Sequence, residues 1–170
     1  MIDSKILMQV EKRLRPLLLE GDYHVIGKSV FDWTSAGLMV RVVRGRKMRT
    51  SEELFDEFAA ALQFPIYFGE NWNAFNECIS EPEDGTWDPG AGYVVVITEP
   101  HEVMADEECD FRLLADSLNW AAEALGVPIE RGAWWDRPAV PFHVVLAGDN
   151  QSLELASRQW ANAGFVPATE

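Results

Sequence analysis

A chain of 170 residues that is 48% hydrophobic and holds seven tryptophans can bury a sizeable core without help from a metal or a disulfide. Its two cysteines form no disulfide framework and no apolar stretch is long enough for a membrane helix, so we expect a soluble, cytoplasmic protein with reduced thiols. The formal net charge of −14 disfavours nucleic acid and anionic membranes as partners.

The negative charge is unevenly distributed along the chain. Residues 50–111 contain sixteen acidic side chains and no lysine or arginine. Such a segment predicts a strong negative field over part of the surface, which steers positively charged partners towards it. Plain solubility explains the same composition and stays open as an alternative.

The first 43 residues predict one helix and two strands. Residues 3–19 begin as an amphipathic helix, with Ile6, Val10 and Leu14 at helical spacing, and Pro16 kinks or ends it. Residues 24–33 and 38–43 are predicted strands, joined by a hairpin turn at residues 34–37.

The middle of the chain predicts two helices. Thr50 and Glu53 form a capping box for a helix over 50–63, and Pro65 stops it. After a short loop, Asn71 is placed to cap a brief second helix over 72–80. A loop rich in proline, glycine and aspartate follows from Pro82 to Gly92.

The last third predicts an apolar strand at 93–98, a helix at 111–125, a second apolar strand at 142–146 and a closing helix at 151–163, with irregular chain over 126–141. Apolar strands that alternate with helices indicate an α/β fold with a parallel sheet covered on both faces. We expect one domain over 1–170, with a core at 38–148, an N-terminal addition at 1–37 and a C-terminal helical addition at 149–170.

Recognised catalytic motifs are missing: there is no phosphate-binding glycine loop, no dinucleotide fingerprint and no nucleophile elbow. The three histidines lack metal-ligand spacing, and His143, inside an apolar strand, is predicted to be a hydrogen-bonded core residue. The acids at 99–110 beside His101 allow a divalent-metal site, although a solvated loop and helix start also explain them and are favoured. We expect no catalysis, metal or cofactor.

The segment from Phe64 to Cys78 has a distinctive composition. It places Tyr67, Phe68 and Gly69 in a loop, then opens a helix that offers polar side chains on its exposed face. Aromatic residues beside polar groups are frequent binding hot spots, since they bury much area at little entropic cost. Simple packing of the helix on the sheet is the alternative explanation.

This segment resembles the signature of the barstar family, inhibitors of the ribonuclease barnase. The match comprises the proline, tyrosine, glycine, glutamate, asparagine, alanine and cysteine at Pro65, Tyr67, Gly69, Glu70, Asn71, Ala74 and Cys78. The order of predicted elements from 38 to 146 is also similar. The resemblance implies a three-stranded parallel sheet packed with helices, no enzymatic activity and a negatively charged binding face.

The resemblance also implies which residues contact a nuclease. The loop and short helix of relatives plug the nuclease active site, and the matching positions here include Tyr67, Asn71, Asn73 and Glu77. The full set of candidate partner-binding residues is Tyr67, Gly69, Asn71, Asn73, Asn76 and Glu77. Two positions depart from the family: Glu77 replaces an aspartate, and Asn73 replaces an acidic residue.

The sequence therefore predicts an inhibitor of a basic ribonuclease-type toxin, with an immunity or antitoxin role. The alternatives are an interaction module for a non-nuclease basic partner and a metal-dependent hydrolase that uses the acids at 99–110. The loop at 126–141, with Trp134, Trp135 and Arg137, is absent from short members of the family. It is either an extra contact surface or a cover over the sheet.

Overall fold

The computed structural model describes residues 1–80 and 91–170. Within these residues four strands form one sheet: β1 (Leu17–Glu20), β2 (Met39–Arg44), β3 (Tyr93–Thr98) and β4 (Phe142–Gly148). The helices there are α1 (Ser4–Leu7), α2 (Tyr23–Ser35), α3 (Ser51–Leu62), α4 (Trp72–Ser80), α5 (Phe111–Leu125) and α6 (Asn150–Asn162).

The strand order across the sheet is β1-β4-β3-β2, and every neighbouring pair is parallel. Parallel neighbours require crossover connections, which the intervening helices supply. The predicted α/β class and the three parallel strands near 38–43, 93–98 and 142–146 are confirmed. The sheet has one strand more than expected, because β1 adds to the free edge of β4.

Both faces of the sheet are covered. Side chains such as Val95 and Val144 pack in a cluster with residues of α3, α4, α5 and α6. Their neighbours Val94 and Val145 point the other way and pack with α1 and α2. Because β3 is buried along its whole length, its continuous apolar sequence is that of a central parallel strand.

The predicted helix over 3–19 was wrong. Only Ser4–Leu7 is helical, and β1 begins directly after Pro16. Proline has no backbone N–H and cannot continue a helix, while the apolar run that follows gains more by pairing with β4. The backbone N–H of Leu18 also donates to Ala168 at 2.9 Å, so this edge strand is held from both sides.

The predicted strand at 24–33 and the hairpin after it were also wrong, since α2 occupies this segment. The side chain of Asp22 accepts hydrogen bonds from the backbone N–H groups of His24 and Val25, both at 3.0 Å, and so caps the helix. Ile26 and Trp33 then fall on one helical face and are buried against the sheet. Capping and helical spacing prevailed over the strand propensity of the individual residues.

The predictions for the later helices and for His143 agree with the structure. The four later helices and the irregular chain over 126–141 lie within two residues of their expected positions. His143 is buried and its Nε2 lies 2.9 Å from the carbonyl oxygen of Gln9, as expected for a core histidine.

The loop predicted from Pro82 to Gly92 lies outside the described residues over its first nine positions, 82–90. In the described ranges no helix is both long and apolar enough to cross a membrane.

Candidate functional site

The loop between α3 and α4 is folded tightly at its start. Gln63 ends α3 in the left-handed conformation with φ 56°. The backbone N–H of Phe64 donates a hydrogen bond of 3.0 Å to the carbonyl oxygen of Ala59. The N–H of Phe68 then donates to the carbonyl of Pro65 at 2.9 Å and closes a turn. This turn leaves Ile66 and Tyr67 projecting outward, with Tyr67 66% exposed.

The predicted cap at Asn71 is present and makes two hydrogen bonds. Its Oδ1 accepts from the N–H of Ala74 at 3.0 Å, which satisfies a donor in the first turn of α4. Its Nδ2 donates to the carbonyl of Gly69 at 3.0 Å. A Cβ at position 69 would lie 3.0 Å from that Nδ2, so glycine leaves room for this contact.

A cluster of aromatic rings underlies the loop and helix. Phe75 is fully buried and packs edge-to-face on Phe58, with ring centroids 5.1 Å apart. Trp72 packs on Phe55 at 5.0 Å, and Phe68 packs on Phe64 at the same distance. Such pairs add about 0.5–1.5 kcal/mol each beyond the area they bury. Trp72 and Phe75 thus both pack towards the core of the protein.

The outer face of α4 carries two of the candidate residues. Asn73 and Glu77 are exposed and four residues apart, so they share one side of the helix. Asn76 differs from the expectation that it belongs to the open face. It is only partly exposed, and its Oδ1 is buried without a hydrogen-bond partner among the described residues. The exposed candidate residues are thus Tyr67, Gly69, Asn71, Asn73 and Glu77, and together with the exposed Glu70 they form what we call the candidate face.

Three arginines that precede the acidic segment neutralise part of it. Arg44 binds Glu57 through two hydrogen bonds of 2.7 and 2.8 Å, and these lower the pKa of Glu57. Arg46 pairs with Glu99. The negative field expected from residues 50–111 is therefore reduced where these arginines lie.

Arg49 makes the third of these contacts. It binds both carboxylate oxygens of Asp106 at 2.8 Å, which lowers the pKa of Asp106, and it also pairs with Glu102. The loop before α4 and the helix itself retain Glu70 and Glu77 and contain no lysine or arginine. The candidate face therefore keeps its negative charge.

The acids at 99–110 are used inside the fold. Besides the arginine pairs, Glu107 accepts from the backbone N–H of Ser51 at 2.8 Å, and Asp110 accepts from its hydroxyl at 3.3 Å. Within the described residues no group of three or more histidine, cysteine or carboxylate side chains is placed to hold a metal ion. These acids fix the start of α3 and the loop around Arg49.

The fold and the site together describe a parallel α/β protein that presents a short, acidic helix and its entry loop. The family model described as Barstar (barnase inhibitor) matches residues 38–147, which is more than half of the chain. This chain therefore belongs to the barstar family, as the signature at 64–78 predicted. None of the curated proteins matches the chain.

Solved structures with a similar fold include two archaeal proteins. Cdc6p from Pyrobaculum aerophilum has 14% identity and a TM-score of 0.51, over 99% of this chain and 49% of that one. The ORC2 protein from Aeropyrum pernix, solved in ADPNP-ADP complexes, has 10% identity and a TM-score of 0.53, over 98% and 45%. This chain thus spans about half the length of those structures. At these identities the likeness concerns the fold alone.

Proposed function

We propose that this chain is a non-catalytic inhibitor that binds a basic ribonuclease-type toxin and blocks its active site, in an immunity or antitoxin role. The observation that carries the proposal is the exposed Glu77 on a short helix whose entry loop is fixed by Asn71. Such an inhibitor protects the cell that makes it, so we place its action in the cytoplasm.

The chemistry of a ribonuclease active site suits this face. A cleft that binds phosphate presents arginine, lysine and histidine side chains, and a carboxylate at the phosphate position accepts charge-assisted hydrogen bonds from them. Glu77 is the carboxylate at the matching family position. Because α4 and its loop hold no lysine or arginine, no cation in this segment competes with the nuclease for that carboxylate.

The fixed geometry of the loop favours binding as well. A loop that is already ordered loses little conformational entropy when a partner immobilises it. Tyr67 stands 66% exposed beside this loop and presents a large amphipathic ring, a residue type that is common in interface hot spots. Asn73 adds a polar group on the side of α4 that carries Glu77.

The two departures from the family indicate a cognate nuclease other than barnase. Glu77 keeps the negative charge of the aspartate that it replaces but extends its reach by one methylene. Asn73 removes a charge from the same helical face. A partner matched to this chain therefore has a slightly deeper cation pocket and one fewer cation opposite α4.

The ORC2 protein was solved in nucleotide complexes, but the corresponding region of this chain does not favour a nucleotide ligand. Ligands of open α/β sheets bind at the carboxyl ends of the strands. In this chain a cleft of about 460 Å³ lies there, and four carboxylates line it: Glu20, Asp22, Glu99 and Asp149. Asp22 already occupies the N–H groups at the start of α2 that would otherwise bind a phosphate.

The proposal is tested by titrating a purified barnase-type ribonuclease with the protein, at low and at physiological salt. We expect inhibition that saturates at one protein per enzyme and weakens as salt rises, because the contact is electrostatic. Absence of inhibition at both salt concentrations would contradict the proposal. The same face would then be assigned to a basic partner that is not a nuclease.

A further inference from the structure

The loop over 126–141 is an ordered element of the fold. The guanidinium of Arg137 donates to the carbonyls of Ala124 and Leu125 in the last turn of α5, both at 3.1 Å. It also donates to Val127 at 3.1 Å, which ties the start of the loop to its end. Ile129 and Arg137 exchange backbone hydrogen bonds of 2.8 and 3.1 Å, so the two arms of the loop form a short ladder.

The tip of the loop is fixed by Asp136. Its carboxylate accepts from the backbone N–H groups of Arg131 and Gly132 at 3.0 and 2.7 Å. Gly132 has φ 75°, a conformation that glycine adopts without strain. The tip therefore has a defined turn rather than an open coil.

This ordered loop holds two tryptophans in solvent. Trp134 is 88% exposed and Trp135 is 52% exposed, and their rings pack edge-to-face with centroids 5.4 Å apart. These two side chains do not cover the sheet, whereas Val140 at the end of the loop is buried in the core. Adjacent exposed tryptophans on a fixed loop are typical of a contact surface.

The loop adjoins the end of the helix that carries Glu77. Ser80, the last residue of α4, lines a common cleft of about 480 Å³ with Val127, Ile129 and Arg131 of the loop. Glu77 lies three residues before Ser80, a rise of about 4.5 Å along the helix. The C-terminal end of α4 and the arms of the loop over 126–141, which we call the tryptophan loop, are therefore neighbours on the surface.

A typical protein–protein interface is larger than the surface of α4, so the elements beside α4 also contribute to binding. A stable protein–protein interface buries about 800 Å² on each partner. The nine residues of α4 form a helix about 13 Å long and about 10 Å wide, which presents far less area than that. A partner seated on α4 extends over the elements beside it, and the tryptophan loop adjoins its C-terminal end.

We propose that Trp134 and Trp135 form a second contact for the same ribonuclease-type partner, against the rim of its basic cleft. This inference rests on the proposed function. Arginine and lysine side chains of such a rim stack on the faces of indole rings, with tryptophan the best partner among the aromatic residues. Glu77 thus supplies a contact between full charges, which salt screens strongly, and the tryptophan pair supplies a contact between cations and neutral rings, which salt screens much less.

The test compares three variants with the full-length wild type in binding to a barnase-type ribonuclease. They are the double variant Trp134→Ala/Trp135→Ala, the site variant Glu77→Gln and a control, Phe31→Ala. Phe31 is 70% exposed on α2, which covers the opposite face of the sheet from α4. Thermal unfolding of each variant verifies that the fold is retained.

We expect the double variant to raise the dissociation constant at least tenfold while keeping the wild-type salt dependence, and Phe31→Ala to bind as the wild type does. A double variant that binds like the wild type, while Glu77→Gln does not, would overturn this inference and leave the proposed function standing. Equal weakening by Phe31→Ala would also overturn it. A wild type that binds no such ribonuclease would overturn both proposals together.

Discussion

The side-chain amide of Asn71 donates to the backbone carbonyl of Gly69 at 3.0 Å while its oxygen accepts from the N–H of Ala74, also at 3.0 Å. One side chain thus joins the entry loop to the first turn of α4. Asn71 therefore fixes the position of the loop that carries Tyr67 relative to the helix that carries Asn73.

Replacement of this residue should affect both stability and binding. We expect Asn71→Ala to lower the free energy of unfolding by about 1 kcal/mol, because an N-cap hydrogen bond is lost. Binding to a ribonuclease should weaken further, since the loop then has to be ordered on contact. Urea unfolding and binding measurements on the same preparation separate the two effects.

A second variant at this position isolates the loop contact. Asn71→Asp keeps the oxygen that accepts from Ala74 and lacks the N–H group that donates to Gly69. It should unfold with nearly wild-type stability, and any loss of affinity would then report on the loop. Equal stability and affinity for Asn71→Ala and the wild type would show that the cap has no such role.

The N-terminal 37 residues should be indispensable for folding. Six of their side chains are buried against the second face of the sheet: Ile2, Leu7, Leu17, Leu19, Ile26 and Trp33. Each contributes about 1.5–3 kcal/mol by burial, so together they match the whole stability of a typical domain. We expect residues 38–170 alone to lack cooperative unfolding and near-ultraviolet circular dichroism. A native-like spectrum of this fragment would show that residues 38–170 fold without the N-terminal 37 residues.

The buried histidine predicts how stability changes with pH. Burial lowers the pKa of His143 below its usual 6.5, against an opposing effect of the hydrogen bond with the Gln9 carbonyl. As pH falls below 6.5 the unfolded chain takes up a proton that the folded chain does not, so folding stability declines until the lowered pKa is reached. The decline approaches about 1.4 kcal/mol per pH unit.

This dependence is checked by urea unfolding of the wild type and of His143→Gln between pH 7.5 and 5. The variant starts from a lower stability but should lose less of it over this range. A wild-type profile parallel to that of the variant would contradict the assignment.

The departure at position 73 gives a prediction about specificity. Asn73→Asp restores the negative charge that relatives carry on this face, and a carboxylate in the first turn of a helix is also favourable for the helix dipole. We expect binding to barnase to tighten several-fold, with unchanged or slightly raised thermal stability. Weaker binding to barnase would show that this side of α4 does not face the cations of the nuclease.

The binding segment was predictable from sequence because its signals are local. Pro65, Gly69 and Asn71 dictate a turn and a cap within a few residues, and the structure contains both. The acids at 50–111 were harder to interpret. Their pairing with Arg44, Arg46 and Arg49 depends on strand register and on a loop far away in sequence, which no local pattern encodes.

The N-terminal region was mispredicted for a different physical reason. Residues 24–33 mix β-branched and aromatic side chains, and only the cap at Asp22 and the spacing of Ile26 and Trp33 identify the helix. The strand before it is just four residues long and depends on pairing with β4, over a hundred residues later. The exposure of Trp134 likewise follows from the long-range contacts of Arg137 with α5.

We propose Glu77 as the carboxylate that enters a basic nuclease site. This proposal is tested by the dissociation constant of Glu77→Gln with a ribonuclease that the wild type inhibits, beside Glu154→Gln, an exposed glutamate of α6, as the control. Loss of a charged hydrogen bond of about 2 kcal/mol predicts at least about 30-fold weaker binding and a shallower salt dependence for Glu77→Gln alone. Equal affinities for the two variants would show that Glu77 does not enter the nuclease site.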